Sequence, residues 1–225
     1  MALSCLILSR DSQEVSVFEC ILGSLRIEPL LEGDLSLARI RLRKSKIDGM
    51  IVDCDLAGAK KFLRDVRPAG EEPGPVLIVS GSEERSRLEE TGAEFVAPKP
   101  VSLEQAVHTL SGARNLMLQG QLHYFRQELN APISITRTQE RLKASLLNLS
   151  QTGVRVRLEQ PQTLHGNVGV HFMLPGTQQA LDARGEVAWA DTKGNVGIRL
   201  VSLTEPAKRD LRLWLEQQYF QSSGN

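Results

Sequence analysis

The stretch ASLLNLSQTGVRVRLE, residues 144–159, decides the fold of the C-terminal half of the chain. From Gly153 onward apolar and charged side chains alternate, with Val154, Val156 and Leu158 set against Arg155, Arg157 and Glu159. A period of two sends the two sets to opposite faces, so the sequence predicts a strand with one face in a core and one in water. Just ahead, Asn148 and Ser150 stand two residues apart and share a face, and Gly153 relieves the bend that follows them. The same alternation recurs at PISITR (132–137), RLKASLLNLS (141–150), GVHFML (169–174), ARGEVAWAD (183–191) and NVGIRLVSL (195–203). Turn residues such as Pro161, Gly166, Pro175, Gly176 and the tetrad TKGN (192–195) separate these runs. Six short antiparallel strands in about 70 residues imply a small barrel or sandwich. A closing amphipathic helix, EPAKRDLRLWLEQQYF (205–220), offers Leu211, Leu213, Trp214, Leu215 and Tyr219 to cover one end.

Toward the N-terminus the rhythm is different. Continuous apolar runs occur at LSCLILS (3–9), GMIVDC (49–54), PVLIVSG (75–81) and AEFVAPKP (93–100), with a weaker one at RIEPLLE (26–32). Between them lie SQEVSVFECILGSL, DLSLARIRLRKSK, AGAKKFLRDVR and SEERSRLEETG, whose apolar positions return every three or four residues. Strands apolar throughout need cover on both faces, and alternation with helices supplies it through crossovers of a parallel sheet. The expectation is α/β plus β: a doubly wound five-stranded parallel domain over 1–115, then a six-stranded antiparallel barrel with a C-terminal helix over 131–225. A long helix from its Ser102 cap to about Phe125 closes the first domain, and 116–130 reads as a helical linker.

With 225 residues, the chain has room for two cores of ordinary size. Lys and Arg total 27, as do Asp and Glu, so there is no overall basic field to favour a nucleic acid polymer. Residues 1–115 hold 15 basic and 18 acidic side chains, which leaves 12 and 9 to the remainder, a slight positive excess. Cys5, Cys20 and Cys54 lack CxxC spacing and read as buried reduced thiols of a cytoplasmic protein. The four histidines have no metal-ligand spacing, and no metal or cofactor is expected. No run reaches the length of a membrane span or has the layout of a signal peptide. Nothing has the form of a nucleophile elbow, a phosphate-binding loop or a paired-carboxylate site, so no catalytic residue is assigned and an enzyme is not expected.

In a parallel sheet of this kind the functional crevice opens at the carboxyl ends of the strands. There the sequence places Ser9 and Arg10, then Asp53, then Ser80, then Lys99 before Pro100. This order resembles the response-regulator receiver family over residues 1 to about 115. In that family an acidic pair after the first strand holds magnesium and an Asp after the third accepts phosphate. A Ser or Thr after the fourth strand and a Lys-Pro after the fifth, usually cis, complete the site. Asp53, Ser80 and Lys99 match, and Gly58 falls at the family's turn glycine. Ser9 and Arg10 replace the acidic pair, and Arg10 has the wrong sign for a metal site. Asp53 has three readings: a remnant ion-paired to Arg10 or Lys99, a phosphoacceptor whose metal site is rebuilt by Asp11 and Asp55, or part of a site for another ligand.

FRQELNAPISI (125–135), NLSQTGVRVRL, GEVAWADTKGNVGIRLVSL (185–203) and the helix with Trp214 together resemble PilZ domains, over about 120–220. In that family RxxxR before the first strand and (D/N)xSxxG between the second and third bind cyclic di-GMP. The resemblance therefore implies a cyclic di-GMP site at Arg126, Asn148, Ser150 and Gly153. The first arginine position holds Leu122, with Gln121 and His123 beside it, so an arginine restored at 122 is expected to strengthen binding. Arg137, Arg141, Arg155 and Arg157 are candidates to compensate, and Trp189 is expected to fill the core. The leading expectation is a cytoplasmic bacterial effector of cyclic di-GMP whose pseudo-receiver serves docking or dimerisation with a protein partner or a second copy. The alternatives are a nucleotide-independent adaptor and a phosphorylation-controlled regulator.

Overall fold

The structure is a computed structural model that describes residues 3–66, 74–138 and 140–222. The chain divides into two compact units, Ala2–Gly120 and Gln121–Asn225. The first contains β1 (Leu3–Leu8), α1 (Ser12–Ser24), β2 (Ile27–Glu32), α2 (Leu35–Lys44), β3 (Gly49–Asp53), α3 (Ala59–Val66), β4 (Val76–Gly81), α4 (Arg85–Glu89) and β5 (Phe95–Pro98). Helix α5 (Leu103–Tyr124) closes it, and its last four residues belong to the second unit. The run expected as a helix to Arg67 is helical to Val66, and Arg67 lies outside the described residues.

The five strands pair in parallel in the order β2-β1-β3-β4-β5. All six residues of β1 and all five of β3 are buried, as the unbroken apolar runs require of central strands. At roughly 1.5–3 kcal/mol for each fully buried large aliphatic side chain, Leu6, Leu8, Ile51 and Val52 make these two strands the anchor of the sheet. Helix α1 starts where Asp11 accepts the backbone N–H groups of Gln13 and Glu14, and α2 starts on the same device at Asp34. The chain leaves β1 in opposite directions to reach β2 and β3, so the crevice lies past the ends of β1 and β3. The Lys99–Pro100 bond there is cis. Of the three cysteines only Cys5 is buried; Cys54 is half-buried and Cys20 is exposed, contrary to the expectation for it. Cys20 sits on α1, and the helix turns it outward while Phe18, Ile21 and Leu22 face the core.

The second unit contains β6 (Gln127–Arg137), β7 (Glu140–Leu149), β8 (Gly153–Leu158), β9 (Asn167–Met173), β10 (Ala180–Ala190) and β11 (Asn195–Leu203), followed by α6 (Glu205–Ser222). These six strands close into an antiparallel barrel in the order β10-β11-β8-β7-β6-β9. Closure leaves no unpaired edge. The alternation reads out as predicted in β8, where Val154, Val156 and Leu158 are buried while Arg155 and Arg157 are exposed. Strand β6 begins earlier than the expected start at Pro132, because Gln127 and Glu128 already pair with Leu149 and Asn148 ahead of an irregularity before Ala131. Helix α6 buries Leu211, Trp214, Leu215 and Tyr219, and the Trp214 indole donates to the carbonyl of Pro175 at 2.9 Å. Leu213, expected with them, is 45% exposed because it falls off that stripe. No helix among the described residues is long and apolar enough to cross a membrane.

Candidate functional site

Two places gather the residues singled out by the sequence, one in each unit. In the first unit Asp53, Ser80 and Lys99 do meet at the crevice. Asp53 ends β3 and is 3% exposed; Ser80, next to last in β4, lies beside it in register and is fully buried. Lys99 Nζ lies 2.8 Å from Asp53 Oδ2 and 3.3 Å from Asp55 Oδ2, and 3.6 Å from both Asp11 Oδ2 and Glu14 Oε2. Burial alone would lower the lysine's pKa, but hydrogen bonding to Asp53 and the charges of Glu14 and Asp53 outweigh it and raise it. The other Asp53 oxygen accepts the N–H of Asp55 at 3.0 Å.

Arg10 takes no part in this crevice. Its Nε donates to the Gly33 carbonyl at 2.8 Å on the exposed rim, so neither the ion pair with Asp53 nor the wrong-sign argument applies to it. The cation among the carboxylates is Lys99. Sequence reasoning missed Glu14, which is 4% exposed and reaches back from α1 to place Oε2 2.6 Å from Ser9 Oγ. Burial raises its pKa; the hydroxyls of Ser80 and Ser9 and the charge of Lys99 oppose this, and Asp53 adds to it. Glu14 Oε1 and Ser80 Oγ are both buried without a hydrogen-bond partner, and the nearby Ser80 hydroxyl favours the charged acid. One turn of helix separates Glu14 from Asp11, a spacing readable in the sequence only once the helix start is known.

Receiver chemistry requires a divalent cation, and these residues do not fit one. Asp11 spends Oδ1 on capping α1, Asp55 is held by the N–H and hydroxyl of Ser82, and an ammonium stands between the carboxylates. Among the described residues no three His, Cys, Asp or Glu side chains are arranged as metal ligands. Incubation with acetyl phosphate and magnesium is therefore expected to add no phosphoryl group. A magnesium-dependent mass gain in the wild type that disappears in Asp53→Asn would contradict this.

In the barrel, the β7–β8 turn is organised by one hydroxyl. Ser150 Oγ accepts the N–H groups of Gly153 (3.1 Å) and Thr152 (3.3 Å), lies 3.1 Å from the Gly153 carbonyl, and accepts Arg126 Nη1 at 3.1 Å. Ser150 is 1% exposed, so it shapes the site from below. A Cβ on Gly153 would lie 2.8 Å from the Ile198 carbonyl oxygen, and this close approach, rather than a special φ, demands glycine.

Above this turn a cleft of about 480 Å³ is lined by Arg126, Asn148, Gly153, Arg155, Trp189 and Arg199, among others. Strand register makes its floor. Asn148 on β7 pairs with Arg155 on β8, Arg155 with Gly197 on β11, and Gly197 with Trp189 on β10. The result is one row: an amide, a guanidinium, a gap and an indole. A Cβ at Gly197 would fall 2.1 Å from Trp189 Nε1, so the ring lies against bare backbone. The β10 register shifts between Val187 and Trp189, and such an extra residue re-aims the side chain that follows it. Trp189 is accordingly 48% exposed and lines the cleft, where core packing had been expected.

Of the candidate compensating arginines only Arg155 lies here. Arg157 is bonded to Asn195 and Arg141 to Ser134, and neither lines the cleft, nor does Arg137. Arg199, paired with Glu186, was missed; its place depends on the β8–β11 register that sets it opposite Gly153. Leu122 is 1% exposed, so the position of the missing arginine faces the core. His123 is exposed and packs edge-on against Tyr124.

Residues 121–217 match the family described as PilZ domain. No curated protein matches the chain. Among solved structures, a response regulator from Thermotoga maritima is 17% identical, covering 51% of this chain and 99% of its own, with a TM-score of 0.45. The chemotaxis response regulator CheY4 of Vibrio cholerae is also 17% identical, covers 50% and 99%, and scores 0.45. The PilZ domain of CeSA from a cellulose-synthesizing bacterium is 17% identical over 42% of this chain and 98% of its own, with a TM-score of 0.35.

Proposed function

We propose that this chain, whose residues 121–217 are a PilZ domain, is a cytoplasmic bacterial signalling effector that binds cyclic di-GMP in the barrel cleft. The observation that carries the reading is the cross-strand row, Asn148, Arg155, Gly197 and Trp189, with Arg126 held beside it on Ser150. Each part suits one part of a cyclic dinucleotide. Guanidinium groups offer a fork of donors to phosphate and a flat face to a base. An exposed indole lying on a strand is a stacking surface. The cleft volume falls inside the range of roughly 300–1,000 Å³ typical of small-molecule sites. Arg155 and Arg199 supply positive charge that the RxxxR segment, with Leu122 in its first place, does not.

In this reading Arg126 contacts the ligand directly, Asn148 reads a base, and Ser150 with Gly153 builds the turn that presents them. The first unit serves as a docking or dimerisation module, its crevice carboxylates gathered on Lys99. No enzymatic role is proposed. Titration of the purified chain with cyclic di-GMP in a calorimeter tests the reading: saturable heat supports it. The second reading, a nucleotide-independent adaptor, is favoured by the burial of Leu122 and gains if no heat is seen.

Ser150→Ala bears on both stability and affinity. It leaves the buried Gly153 N–H without its acceptor, at a cost of about 1–3 kcal/mol, and releases the exposed Arg126 guanidinium from its anchor. A lower denaturation midpoint together with binding weakened about tenfold is the expected result, the tenfold loss being about 1.4 kcal/mol. Unchanged affinity would mean that Arg126 needs no anchor.

A further inference from the structure

Glu128 is not part of either nucleotide motif, yet it determines what the cleft presents to a base. It stands on β6 directly opposite Asn148 on β7, and Asn148 Nδ2 donates to Glu128 Oε1 at 3.3 Å. An ionised carboxylate only accepts, so the amide must turn its NH₂ toward it; the flipped amide would set oxygen against oxygen. Asn148 is 8% exposed and lines the cleft, and among the described residues its Oδ1 accepts no hydrogen bond and is not sealed away from solvent. The cleft is therefore offered a fixed acceptor.

Guanine carries donors, N1–H and the N2 amino group, on the edge where adenine has the N1 acceptor. A fixed acceptor satisfies the first and leaves two lone pairs facing each other in the second, and a site built for one hydrogen-bond pattern rejects its inverse strongly. We propose that Glu128 is a positioning residue that orients the Asn148 amide and so makes the cleft select guanine over adenine. This inference rests on the reading of the cleft as a cyclic dinucleotide site. It also accounts for Asn at a motif position that admits Asp: an aspartate at 148 would place a second carboxylate against Glu128.

Two measurements on the full chain test it. Without ligand, the Asn148 side-chain amide protons, followed by ¹⁵N NMR across the acid titration, are expected to shift in step with the Glu128 carboxyl, and the step should vanish in Glu128→Gln. With ligand, cyclic di-GMP and cyclic di-AMP are titrated into wild type and Glu128→Gln. The glutamine of the variant can offer either end of its own amide, so Asn148 is free to flip. The preference for cyclic di-GMP should then fall about tenfold, chiefly through tighter cyclic di-AMP binding. An Asn148 amide that ignores Glu128 overturns the inference. So does a Glu128→Gln protein that keeps the wild-type preference while still binding cyclic di-GMP, and that result leaves the proposed function standing. Wild-type protein that binds neither dinucleotide overturns both.

Discussion

Leu122→Arg is expected to lower the melting temperature of the protein by about 10 °C or more and to leave its affinity for cyclic di-GMP no higher than before. The motif alone argues the opposite, because an arginine at 122 completes RxxxR. Leu122, however, is 1% exposed at the end of α5, on a side chain that faces the core. Replacing it removes a buried leucine, worth about 2–5 kcal/mol on truncation, and asks a guanidinium either to stay buried without a partner or to pull the helix end out of place. Neither outcome delivers the group to the cleft. Differential scanning calorimetry and a cyclic di-GMP titration on the same sample check both halves. A variant as stable as wild type that binds more tightly would mean that the helix end rearranges freely and that the buried leucine contributes little.

Arg126→Ala should abolish binding or weaken it by about a hundredfold, close to 2.8 kcal/mol. Arg126 is exposed, so its removal leaves the core untouched, and the melting temperature should change little. Its hydrogen bond to Ser150 holds it at the edge of the cleft, which limits the freedom it must lose on meeting a ligand. The remaining arginines are less suited to its part: Arg199 is already paired with Glu186, and Arg155 lies in the strand row rather than above it. Full affinity in Arg126→Ala, with normal stability, would show that the ligand is held elsewhere. Loss of binding on Arg155→Ala in that case would place the site on the row itself.

Much of this protein was determined by sequence alone, wherever the deciding physics is local. Period-two alternation around Val154 and Val156 sets a half-buried strand, and unbroken runs such as LSCLIL set strands buried on both faces. Asp53, Ser80 and Lys99 meet because the ends of adjacent parallel strands must lie together once their order is known. Register and facing belong to the tertiary structure, and they decided the rest. Which way Arg10 turns, that Glu14 reaches back into the crevice, and that Leu122 faces inward each depend on packing between elements distant in the chain. The cleft depends on it most. Arg199 and Trp189 come from two strands, β11 and β10, and join Asn148 and Arg155 only through pairings across the closed barrel, with Gly197 leaving room for the indole. A strand's own sequence sets which side chains share its face; the neighbour each one meets is set by pairing with chain far away, and no local pattern encodes it.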